Sequence, residues 1–243
     1  MTPALKKIIE DAYRVFGTYK VTKPLDVCTA CCVTDDEEND LVNFDVRYIS
    51  HNLLTTYNNA AKPERPELNE FKHFLPRFLD LTAQFKYPSH SLETGLSGFK
   101  YFSDEDWSRE ERQIIEEFGK EFFQYCLETY PLPDNEHIEA ILIMLSTTQM
   151  DTNQLFSYWK DTSTEESLLH FSDLVNYGFE LKQQEKLSDA FADQEVTDKI
   201  TQWLGNSSIR TSFAKKIEHI IMKPGDISDR QLAELSWAYD RLM

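Results

Sequence analysis

Three of the chain's four cysteines fall within five positions, in the stretch Val27-Cys28-Thr29-Ala30-Cys31-Cys32-Val33, and a run of acids from Asp35 to Glu38 follows at once. Thiolates hold soft metal ions and exchange electrons, so chemistry is expected here first. Cys28 and Cys31 have the two-residue spacing with which a tight turn grips one zinc ion. Structural zinc needs four tetrahedral ligands, yet no second Cys-x-x-Cys and no histidine pair at three-to-five spacing follows. A zinc site would therefore draw on Cys32 and one histidine, with His73 the assignment here and His51 and His90 the alternatives.

The same thiols admit two other readings. Cys31 and Cys32 stand just before a helix start, where the helix dipole stabilises a thiolate and favours redox or sensing chemistry. Asp26 and the acids of the next turn oppose that effect, and no β-α-β pattern surrounds the motif as a thioredoxin-like enzyme requires. Packing of the thiols without chemistry is the default against which both are set.

Other constellations are weaker. Glu70 and His73 form the Glu-x-x-His element of helical di-iron sites, which need a second copy that this chain lacks, so a surface carboxylate beside a packed histidine is expected. His170 near Asp173 and His219 beside Glu218 read as neighbours on helix surfaces. Arg77 follows Pro76 inside an apolar helical pattern. The proline frees a carbonyl and favours a kink, and the guanidinium is expected to pair with an acid or carbonyl across it. Tyr158 with Trp159, and Trp237 with Tyr239, read as packing anchors. Phosphate loops, Gly-x-Ser-x-Gly, His-Glu-x-x-His and kinase signatures do not occur, which lowers the expectation of an enzyme.

The elements that must carry these residues read as helices. Thr2 before Pro3 starts the first, whose apolar residues run from Leu5 to Phe16, and Gly17 is expected to end it in the left-handed conformation. Thr34 with Glu37 forms a capping box that opens the second. Ile49, Leu53, Leu54 and Tyr57 mark the third, and Pro66 opens the fourth, with Pro76 inside it. Residues 88–99 read as a short helix or loop. Ser103 with Asp106 is expected to cap the longest helix, which has Cys126 on its core side. Further starts fall at Asp134 or Asn135, Asp151, Ser163, Ser188, Ser207 and Ser228.

Composition agrees with an all-α class of ten or eleven helices. Only 7 Gly and 9 Pro occur in 243 residues, and long β-branched runs are scarce. The helices could stack as an α-solenoid of the HEAT or armadillo kind or close into an irregular bundle, and no fixed repeat period decides between them. One domain spanning 1–243 is expected, with a subdivision into 1–101 and 102–243 the weakest point. Forty-two acids against 25 bases give a formal charge of −17, which repels phosphate backbones and argues against direct nucleic-acid binding. Neither a signal peptide nor an apolar run of membrane-spanning length is legible, so a cytoplasmic protein with reduced thiols is expected.

At Val27 to Val33, at Tyr57-Asn58-Asn59-Ala60-Ala61 and at Phe74-Leu75-Pro76-Arg77, the chain resembles a group of uncharacterised bacterial proteins that share Cys-x-x-Cys-Cys, Tyr-Asn-x-Ala-Ala and Phe-Leu-Pro-Arg segments. The resemblance covers about the first hundred residues. It implies a bacterial origin and marks Tyr57, Asn58 and Arg77 as candidate binding residues beside the cysteines, with no activity attached.

Two classes of function follow from these readings. The leading one is a non-enzymatic, acidic, helical interaction module, an adaptor or immunity-type binder with a protein partner. The alternative is a zinc-binding structural domain or a thiol-redox domain centred on Cys28, Cys31 and Cys32.

Overall fold

Side-chain acceptors cap several helix starts, and those at Thr2, Thr34 and Ser228 stand where the sequence places them. The computed structural model of the protein describes residues 1–64, 66–178, 192 and 194–243. Among them are eleven α-helices, four 3₁₀ turns and no β-strand, which is the all-α class that composition implies. Ser188 lies outside the described residues. Among those described, no helix is long and apolar enough to cross a membrane.

The chain gathers into two units, residues 1–122 with 147–150, and residues 123–146 with 151–243. In the first, α1 (Pro3–Phe16) is capped by Thr2, whose Oγ1 accepts from Leu5 N at 3.1 Å. Gly17 does not turn left-handed but stays right-handed at φ −63°. A Cβ at Gly17 would come within 2.6 Å of Tyr13 O, so close approach and not handedness favours glycine there. The capping box of Thr34 and Glu37 starts α2 (Asp35–Asn43), and α3 (His51–Asn59) follows a 3₁₀ turn at Val46–Tyr48.

Helix α4 (Leu68–Ala83) packs against α1 and runs unbroken through Pro76. It is buried nearly all round, including Glu70, Lys72 and His73, so each of those polar groups needs an internal partner. Lys72 Nζ meets Glu111 Oε2 at 2.9 Å in a buried ion pair, and Tyr19 OH donates to the other oxygen at 2.6 Å. Phe71 forms the aromatic centre of the unit, edge-on to Phe99 at 5.2 Å and stacked on Phe102 at 5.4 Å. Residues 88–99 are turns leading into a 3₁₀ segment, Ser97–Tyr101, which lies so close to Phe71 that a Cβ on Gly98 would sit 2.3 Å from its ring.

Ser103 and Asp106 bracket only a 3₁₀ turn, Asp104–Asp106. The longest helix, α5 (Arg109–Leu127), starts five residues later, where Ser108 and Glu111 exchange the bonds of a capping box. Both sites have a serine with an acid three positions on, and the deciding difference is that an apolar helical stripe begins only after Ser108.

The second unit begins inside α5. Asp134 and Asn135 do not restart a helix: both take left-handed φ, 59° and 56°, in a 3₁₀ turn, and α6 (Ile138–Ser146), apolar but for Glu139 and Ser146, begins beyond them. Asp151 accepts from Asn153 N ahead of α7 (Asn153–Asp161). Thr164, not Ser163, caps α8 (Glu165–Tyr177), and Asn206, not Ser207, caps α10 (Ser207–Met222). Between them lies α9 (Gln194–Gly205). Ser228 and Gln231 form the expected capping box of α11 (Asp229–Leu242). The core centres on fully buried Trp159, with Trp203 stacked at 5.3 Å and Phe171 parallel to Phe213 at 3.6 Å. Trp237, expected as an anchor, is instead 58% exposed, because the buried stripe of α11 runs through Leu235, Ala238 and Leu242.

Candidate metal site

The cysteine turn is pinned at both ends by buried apolar residues, Leu25 and Val33, and by backbone bonds to distant side chains. Leu25 N donates to Glu38 Oε1 at 2.7 Å, and Asp26 N donates to Glu70 Oε2 at 2.9 Å. Cys28 N donates to Ala61 O at 2.9 Å. Within the turn, Cys28 O accepts from both Cys32 N and Val33 N, which coils the segment tightly enough to turn three side chains inward on one another. Thr34 then caps α2, so the sulfurs sit immediately ahead of a fixed helix.

Cys28 Sγ and Cys31 Sγ are 3.4 Å apart, as are Cys31 Sγ and Cys32 Sγ, and all three lie within 4.8 Å of one another. Two sulfurs at the edge of a zinc tetrahedron are separated by about 3.8 Å, given a Zn–S bond of about 2.3 Å. The turn therefore presents three donors at ligand spacing. Cys31 is exposed, while Cys28 and Cys32 are half-buried, so the group is open to solvent on one side. The thiol favoured as thiolate is Cys28 and not Cys31. Cys31 and then the N–H groups of Ala30 and Cys31 stabilise the Cys28 anion, whereas the Cys31 thiol is pushed up to about 11 by Cys28 and Cys32. Local donors outweigh the helix end here.

Glu70 supplies the footing. Far from being a surface carboxylate, it is buried, accepting from Asp26 N on one oxygen and from Tyr57 OH, at 2.9 Å, on the other. Burial raises its carboxyl above the usual range, against the pull of those donors. Burial likewise pushes Tyr57 well up and brings Lys62, whose Nζ sits 3.6 Å over the Tyr57 ring, down to about 8.

The group at ligand spacing contains the three cysteines and no histidine. His73 donates from Nδ1 to Tyr19 O at 3.0 Å, a tautomer fixed by the carbonyl's inability to donate, and its Nε2 is buried without a hydrogen-bond partner among the described residues. It lines a cavity of about 380 Å³ with Tyr13, Lys20, Phe44 and Arg47. His51 Nε2 meets Tyr87 O at 3.1 Å. Arg77 donates from Nε to Ile49 O and from Nη1 to Asp80 Oδ2, each at 2.8 Å, and Asn58 donates to Pro88 O at 2.9 Å. Tyr57, Asn58 and Arg77 thus each make hydrogen bonds within the first unit. Sequence reasoning missed Asp26 and Ala61 as supports of the turn. The available signal was Glu70 itself, an acid set among Phe71, Phe74 and Leu75 on a helix too apolar to have a wet face.

The second unit holds a larger cavity, about 540 Å³, lined by Tyr130, His137, Asp173, Arg230 and Glu234. Tyr130 OH donates to Asp173 Oδ2 at 3.0 Å, and Arg230 pairs with Glu234 at 3.0 Å. No protein-family model, curated protein or solved structure matches this chain. The chemistry of the site is therefore argued from its own atoms.

Proposed function

We propose that the Cys28–Cys31–Cys32 turn is a thiolate site for a thiophilic metal ion, zinc among them, with any further ligand to a four-coordinate ion coming from solvent or from a bound molecule. The observation that supports this reading is the gathering of three sulfurs within 4.8 Å on one partly exposed turn that distant backbone contacts hold in place. Binding displaces thiol protons, so uptake strengthens as pH rises. A reducing compartment, the cytoplasm, suits thiols in this state. Titrating the reduced, metal-free protein with cadmium should produce the ultraviolet thiolate-to-metal absorption at one ion per chain, and Cys28→Ser should weaken it. A folded wild-type protein that gives no such band would refute the site.

A second reading keeps a protein partner. It is favoured by Trp237, 58% exposed on α11, since large aromatic residues are enriched where proteins meet. Trp237→Ser should then abolish a binding event seen with the intact chain while leaving its thermal melt unchanged.

A further inference from the structure

We infer that the turn is fitted to a three-coordinate trivalent metalloid, arsenic(III) above all, in preference to a four-coordinate divalent ion. This rests on the reading of the turn as a thiolate site and names its ligand class. Among the described residues no fourth His, Cys, Asp or Glu atom joins the three sulfurs, which leaves a tetrahedral ion one protein ligand short. Trivalent arsenic carries a lone pair where a fourth ligand would stand, and three sulfurs complete its shell.

Two of the sulfur edges measure 3.4 Å, shorter than the edge of about 3.8 Å that a zinc tetrahedron spans. An apex with a lone pair draws its three ligands into a narrower pyramid, which these two short edges suit, while the third pair lies within 4.8 Å. A divalent ion on three thiolates leaves a net negative charge in a segment flanked by Asp26, Asp35 and Asp36, in a chain that already carries −17. Arsenic(III) on three thiolates is neutral. Cys31 is exposed and can make the first contact.

The reaction needs no co-reactant. Arsenous acid, As(OH)₃, condenses with three thiols: three As–O bonds break, three As–S bonds form, and each thiol proton leaves with a hydroxyl as water. Arsenic stays trivalent, and nothing is oxidised or reduced.

The test uses the reduced full-length chain with arsenite, counting thiols that react with an aromatic disulfide reagent in the folded protein and measuring bound arsenic after gel filtration. One arsenic per chain and protection of all three turn thiols is expected, with Cys126 silent throughout because it is fully buried. Cys28→Ser and Cys32→Ser, each checked for unchanged helical circular dichroism, should each weaken arsenite binding about a hundredfold as one arm of the chelate is lost. Protection of two thiols or fewer, or serine variants that bind as tightly as wild type, overturns the inference. If cadmium gives its thiolate band while arsenite protects nothing, the metal site stands and the metalloid assignment falls. If neither is bound, both fall.

Discussion

His170 is a base held neutral inside protein. It is 2% exposed, not a helix-surface neighbour of Asp173, and its Nε2 donates to the carbonyls of Cys126 and Thr129 at 3.1 and 2.9 Å. Burial above all brings it down to about 4 from an ordinary 6.5. Because the unfolded chain binds the proton first, stability is full above about pH 6.5 and declines as pH falls, until the folded form also protonates near pH 4. That shift is worth about 3 kcal/mol. Urea unfolding of His170→Gln should show a shallower loss of stability than wild type between pH 6.5 and 4, and parallel curves would refute the assignment. Such burial was not legible in the sequence. The acceptors lie more than forty residues upstream, just as Glu70 meets a donor 44 residues away at Asp26. Cys126 was legible, because a thiol on an apolar helix stripe needs no partner to be buried.

Helix starts were the most legible elements, and their failures were systematic. Wherever a side-chain acceptor stood directly before an amphipathic stripe, as at Thr2, Thr34 and Ser228, the structure places the cap there. Where two acceptors compete, pattern alone picks the wrong one, as with Ser103 against Ser108. Ser108→Ala should cost about 1 kcal/mol, since it removes the acceptor of the Glu111 N–H in the first turn of α5. Ser103→Ala should stay within about 0.5 kcal/mol, because only a 3₁₀ turn depends on it. Thermal or urea melts of the two variants decide the matter, and equal losses would return the cap to Ser103. The cysteine turn was legible as a motif but not as a geometry, since its coiling depends on Ala61 O and Glu70 as much as on its own residues.

For the whole chain, helix content was legible from few glycines, few prolines and scarce β-branched runs, while the grouping of helices was not. The sequence reads as one domain with its least certain boundary near residue 101, and the two units of the structure are residues 1–122 with 147–150 and residues 123–146 with 151–243, a division that falls within α5. Self-repulsion of a −17 chain opposes compactness, and the screening length shrinks from about 30 Å at 0.01 M salt to about 3 Å at 1 M. The melting temperature should therefore rise with sodium chloride over that range; a fall would mean that ion pairs outweigh net charge. The four tryptophans are divided unequally between the units: Trp107 in the first, and stacked Trp159 and Trp203 with exposed Trp237 in the second. Stacked indoles couple their electronic transitions, so the near-ultraviolet circular dichroism of the protein belongs chiefly to the second unit. Replacing Trp107 with Phe silences the indole light of the first, so the melting of the second unit can then be followed optically by itself.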